Sequence, residues 1–287
     1  MEQNEENTLE NTTISDLSKI HFEKGNEFKE QGDLELAIEN YQKSIQIKPD
    51  YIQPVLQLAD IYESQENWSE ATKCYQRIVG LRPDNSNSYL KMAKTLQHQG
   101  KIHGAIAAYQ NALEIRPDSS GRVYKELGDL LFEESDNLEE AIAVYQKSSE
   151  LKSDWSAPFY LKLANALMKK DRLDEAIANY NKAMYLKPER FQTYLLLGDA
   201  HKEKGDLNEA LEHFKRAVRF NPEFAPGYTR IGDVFREKEQ LDTAVQCYQK
   251  ALELKPDAVY LYRRLGDTLT QQGKLNEAQE CYKKTFA

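Results

Sequence analysis

No apolar run in the chain approaches the roughly 18 residues needed to cross a bilayer, and no basic stretch followed by an apolar one opens it. The expectation is a cytoplasmic protein with no membrane partner. Cysteine is scarce: Cys74, Cys247 and Cys281 are the three present, without CxxC spacing, which suits free thiols in a reducing compartment. Glycines stand singly, so neither GxGxxG nor GxxxxGK[ST] occurs and no phosphate cradle is expected. The five histidines, His21, His98, His103, His201 and His213, form no HExxH and no ligand cluster with cysteine. Catalytic, metal and cofactor sites are therefore all expected to be none. Basic residues are outnumbered, with a net charge of -9, and nonspecific nucleic-acid binding works through clustered Lys and Arg that displace counterions. A nucleic-acid partner is not expected.

What the chain does have is a period. Ala37, Ala71, Ala105, Ala141, Ala176, Ala210, Ala244 and Ala278 follow one another at intervals of 34, 34, 36, 35, 34, 34 and 34 residues. Four residues after each alanine comes an aromatic: Tyr41, Tyr75, Tyr109, Tyr145, Tyr180, Phe214, Tyr248 and Tyr282. Three residues before each alanine an apolar side chain recurs, from Leu34 and Trp68 to Leu241 and Leu275. A unit repeating at fixed period stacks on its neighbours instead of folding singly.

Each unit reads as two amphipathic helices. Tyr228, Ile231, Gly232 and Phe235 fall at i, i+3, i+4 and i+7, and Leu241, Ala244, Val245 and Tyr248 do the same on a second helix. The small first-helix residue (Gly25, Ala59, Ala93, Gly128, Ala164, Gly198, Gly232, Gly266) and the second-helix alanine are expected to let the two helices approach closely, with aromatics filling the surrounding space. Pro49, Pro83, Pro117, Pro188, Pro222 and Pro256 are expected to stop the second helices; Ser153 takes that place in the fourth unit. Extra residues near Asp118 to Ser120, Ser135 to Asn137 and Asp154 to Ser156 are expected to bulge as loops. The cysteines precede their aromatics at one equivalent position, so stacking places them about 8–10 Å or more apart, beyond disulfide reach.

The expected organisation is a disordered polar tail over 1–17, then eight modules at 18–51, 52–85, 86–119, 120–156, 157–190, 191–224, 225–258 and 259–287. These residues resemble the tetratricopeptide repeat, whose pattern is W-x2-L-G-x2-Y, A-x3-F and P on a 34-residue period. The resemblance covers Ser18 to Ala287 and implies an all-α, right-handed superhelical solenoid whose first helices line a concave groove and whose second helices face outward. It further implies a non-catalytic scaffold for a protein or peptide partner. The chaperone-tail clamp of the family is not matched: Asn26 fits its first asparagine, but Phe22, Gln57 and Asn87 stand where its lysine, second asparagine and second lysine belong. The wording Ala251 to Asp257 is similar to arrays preceding transferase domains in bacteria. A second reading is therefore a substrate-recruiting region ahead of a glycosyl-, sulfo- or methyltransferase. The eighth module is as apolar as an interior one, with no polar capping helix after it, so self-association through its outer face is a third expectation.

Candidate groove residues follow from position in the first helix. One residue after the small residue stand Asn26, Asp60, Lys94, Asp129, Asn165, Asp199, Asp233 and Asp267; two before it stand Glu23, Gln57, Lys91, Glu126, Lys162, Leu196, Arg230 and Arg264. Asn165, Asp199, Asp233 and Asp267 thus share a face with Arg230, Arg236, Arg263 and Arg264. Two readings stay open: an ion-pair ladder between modules, or a charged groove that grips a peptide. Phe132 and Met168 are the apolar groove candidates, whereas Leu161 and Leu195 read as packing between neighbouring first helices.

Overall fold

The computed structural model describes residues 2–134 and 137–285, with side chains from Ser15 onward. Met1, Ser135, Asp136, Phe286 and Ala287 lie outside the described residues, and with them the middle of the insertion expected near Asn137. The described residues form sixteen helices and no strand, so the fold is an all-α helical-repeat solenoid. Two helices make one hairpin. In order they are α1 (Glu2–Gln31), α2 (Leu34–Ile47), α3 (Ile52–Ser64), α4 (Trp68–Leu81), α5 (Ser86–His98), α6 (Ile102–Ile115), α7 (Gly121–Glu133) and α8 (Leu138–Leu151). They continue as α9 (Ala157–Lys169), α10 (Leu173–Leu186), α11 (Phe191–Lys204), α12 (Leu207–Phe220), α13 (Ala225–Glu237), α14 (Leu241–Leu254), α15 (Val259–Gln271) and α16 (Leu275–Lys283).

Two compact units result, one ending at Leu131 and the other beginning at Phe132, with the division inside α7. In the first, α1 packs on α2, α3 on α4 and α5 on α6, while α2 meets α3 and α4 meets α5. In the second, α9 to α16 pair in the same way, and each second helix packs on the first helix of the next hairpin.

Local chemistry sets the helix ends. The turn inside a hairpin needs one residue with positive φ, supplied by Gly32, Gly100, Gly205 and Gly273, but by Glu66, Asp171 and Glu239 in three other modules. Asp33, Asn67 and Asn85 cap the helices that follow them by accepting from the amides of Leu36, Glu70 and Ser88. Residues before the prolines, such as Lys48 (φ -129°, ψ 91°), leave the helical region as proline requires. Lys152 leaves it too (φ -146°, ψ 121°), although Ser153 follows it.

Two of the expected insertions appear as connections one residue longer than the usual four: 116–120 and 152–156 against, for example, 48–51 and 187–190. Helix α1 runs back to Glu2, because no proline or glycine precedes Gly25 to stop a helix already nucleated by the packed part. Ser18 is fully buried and donates its hydroxyl to the Ser44 carbonyl at 2.9 Å.

The core is the ladder of repeated residues. All the ladder alanines are buried, and Tyr41, Tyr75, Tyr109, Tyr145, Tyr180, Phe214 and Tyr248 are the largest side chains shielded from water. The expected close contact of two small residues takes another form: the second-helix aromatic lies against the first-helix glycine itself. A Cβ on Gly232 would stand 2.7 Å from the ring of Tyr248, and one on Gly25 2.6 Å from that of Tyr41. First-helix tyrosines pin the connection before them, Tyr124 donating to the Pro117 carbonyl at 2.8 Å and Tyr194 to that of Pro188 at 2.9 Å. The three cysteines are free thiols, partly covered, and burial pushes Cys74 up to about 12 and Cys247 up to about 11.

Candidate functional site

Side chains on successive first helices meet at fixed offsets. In the first unit Lys29 of α1 donates to Gln57 of α3 at 2.6 Å, and Lys91 of α5 pairs with Glu63 of α3 at 2.7 Å. Both span 28 residues, from four positions after one small residue to two before the next. In the second unit the offset changes to 31. Arg230 of α13 donates its Nε to both carboxylate oxygens of Asp199 of α11, at 2.7 and 3.0 Å, and Arg264 of α15 pairs with Asp233 of α13. Lys202 of α11 adds a third link, to Glu237 of α13 at 2.5 Å.

The acceptors one position after the small residue are also held from behind. Tyr248 donates its hydroxyl to Asp233 at 2.7 Å, Tyr282 to Asp267 at 2.8 Å and Tyr180 to Asn165 at 2.6 Å. Each reaches 15 residues back across its own hairpin, from the core to the first-helix face. Burial and the neighbouring Asp233 carboxylate push the Tyr248 hydroxyl well above the ordinary phenol range, so it stays a donor. Phe214 occupies the same place in the sixth module without a hydroxyl, and there the Arg230 Nε, shared between both carboxylate oxygens, holds Asp199.

Of the candidate residues, Asn165, Asp199, Asp233, Asp267, Arg230 and Arg264 are thus joined to core tyrosines or to each other. Arg236, half-buried, and Arg263, exposed, form no ion pair among the described residues. Phe132 carries the ammonium of Lys169 over its ring at 4.7 Å, and Met168, also half-buried, lies on the same helix as Lys169. Leu161 and Leu195 are buried in the stack, as their packing reading expects, and Leu196 is half-buried. The tyrosine hydroxyls are the contribution that sequence reading missed. Their signal was available: the position is Tyr in seven modules and Phe in one, and packing alone does not require a hydroxyl.

Among the described residues no group of three or more His, Cys, Asp or Glu side chains is placed to hold a metal ion, and no helix is long and apolar enough to cross a membrane.

Hairpins in this register define the tetratricopeptide-repeat class, and the models described as TPR repeat and tetratricopeptide repeat match residues 25–65 and 55–89. Residues 76–286 match the model described as the cilia and flagella-associated protein 70 C-terminal domain, and the chain belongs to this family of tetratricopeptide-repeat domains. Among curated proteins none matches it. Several solved structures share the fold. YrrB, described as a TPR protein with an unusual peptide-binding site, is 20% identical, with 67% of this chain and 97% of that one covered at a TM-score of 0.56. MamA from Desulfovibrio magneticus RS-1 is 19% identical over 58% of this chain and 93% of that one, at 0.53. The C-terminal part of a TPR repeat-containing protein from Cytophaga hutchinsonii is 15% identical over 80% and 93%, at 0.61. Identities this low show a shared fold and nothing beyond it.

Proposed function

We propose that this protein is a non-catalytic interaction scaffold whose second unit grips an extended, acidic partner segment along its first-helix face. The observation that carries the reading is the division of labour among the arginines. Arg230 and Arg264 are engaged with Asp199 and Asp233, whereas Arg236 and Arg263 lie on the same helices with no carboxylate partner among the described residues. Pre-formed pairs of this kind hold the backbone spacing of neighbouring helices, so a guest meets a rigid surface and little ordering entropy is lost on binding. Phe132 and Met168 then offer apolar contact, and the unpaired guanidiniums offer bidentate sites for carboxylates.

That YrrB has a peptide-binding site on a similar fold is consistent with the class of ligand, though not with any particular sequence. The test is selection of binders from a displayed random-peptide library. Selected peptides are expected to be enriched in Asp and Glu and to lose at least about tenfold in affinity with Arg236→Glu combined with Arg263→Glu, about 1.4 kcal/mol, while far-UV circular dichroism is unchanged. Binders indifferent to that double variant and to Met168→Ser would overturn the reading.

A further inference from the structure

The long connection 152–156 builds something that the regular connections do not. Trp155 occupies it, stacked on Phe159 with ring centroids 4.7 Å apart and its indole N–H donated to the Ser148 carbonyl at 3.2 Å. Fixed in this way, the half-buried indole forms one wall of an open hollow of about 500 Å³, with Tyr160 of α9 beside it and Lys182, Tyr185 and Leu186 of α10 opposite. Tyr185 is 86% exposed and Leu186 45% exposed, an unusual amount of bare apolar surface at adjacent positions.

The cations around the hollow are placed on rings. Lys182 holds its ammonium 5.3 Å from the centre of the Tyr160 ring, and Lys152 holds its own 4.5 Å from that of Trp155. Lys182 forms no ion pair among the described residues, and Lys152 has the exposed Asp154 carboxylate at 3.7 Å. Two lysines against one carboxylate leave the rim cationic on a chain whose net charge is -9. None of these residues belongs to the candidate groove.

We propose that this hollow is a second docking site, which seats one aromatic or large aliphatic side chain of an acidic partner segment. The anchor lies among Trp155, Tyr160 and Tyr185, and flanking carboxylates meet Lys182 and Lys152. The apolar walls account for affinity and the cation excess for the sign of the partner's charge.

Three fluorescently labelled peptides test it by anisotropy: a phenylalanine flanked on each side by two glutamates, the same peptide with alanine at the centre, and the same phenylalanine flanked by lysines. The acidic phenylalanine peptide is expected to bind, with the other two at least about tenfold weaker. Tyr185→Ser, which removes an exposed ring and little buried area, and Lys182→Glu are each expected to weaken it by a similar factor, whereas Arg236→Glu with Arg263→Glu leaves it unchanged. Absence of binding by the acidic phenylalanine peptide, a preference for the lysine peptide, or indifference to both hollow variants overturns the proposal. Binding lost with the arginine variant and kept with Tyr185→Ser places the peptide on the first-helix face, which supports the groove and also overturns the second site.

Discussion

Tyr248 crosses the seventh hairpin to donate its hydroxyl to Asp233 at 2.7 Å, so a residue of the core orients a residue of the surface. The same carboxylate receives Arg264 from the next module, which makes Asp233 the junction of an intramodular and an intermodular bond. Hydrogen bonds to a charged acceptor are stronger than neutral ones. Tyr248→Phe is expected to lower stability by about 1–2 kcal/mol in urea unfolding. The complementary change, Phe214→Tyr, gives Asp199 the hydroxyl that its module lacks and is expected to raise stability by about 0.5–1.5 kcal/mol. A destabilised Phe214→Tyr protein would show that the ring over Gly198 has no room for the added oxygen.

Ala210 is fully buried where α11 and α12 meet, beside Phe214. Leucine there adds three carbons to a filled space, and Ala210→Leu is expected to cost about 1–3 kcal/mol, read as a lower urea midpoint at unchanged slope. A neutral result would mean that the hairpin repacks freely around its alanine.

His201 and His213 stack with ring centroids 5.3 Å apart, and the Nδ1 atoms of both are buried without a hydrogen-bond partner. Burial, then the His201 ring and Arg216, hold the His213 imidazole below its ordinary 6.5, against a smaller opposing pull from Glu209 and Glu212. In the turn between the two helices Asp206 lies 3.6 Å from His201, with Lys204, the last residue of α11, at the same distance from Asp206. A histidine whose folded pKa is depressed binds fewer protons folded than unfolded, so its contribution to stability is complete above about pH 6.5 and declines as pH falls below it. Thermal unfolding between pH 7.5 and 5.5 is expected to show a steeper loss for the wild type than for His213→Gln. Parallel profiles would remove His213 from the acid sensitivity.

Much of this fold was legible in the chain. The 34-residue alanine ladder marked every hairpin, the prolines marked where six second helices stop, and the odd spacings near Ser120 and Ser156 marked the two long connections. The start of α1 was not legible, since a polar stretch without breakers extends or unravels according to what nucleates it. At the candidate site, offsets placed Asp199, Asp233, Arg230 and Arg264 on one face but left their pairing open. Whether an arginine turns to its neighbour or to solvent depends on the distance between two helices, a quantity of stacking rather than of spacing.

The sequence by itself determined which residues are equivalent, because a period of side-chain size and polarity dictates which surfaces can be buried together in every copy. Tertiary structure alone decided what those equivalent residues do. Tyr180, Tyr248 and Tyr282 reach through to the first-helix face, Phe214 cannot, and Trp155 fills a one-residue excess of connection to wall a hollow. Each outcome turns on a few ångströms between separate helices, set by how the hairpins pack and not by any pattern along the chain.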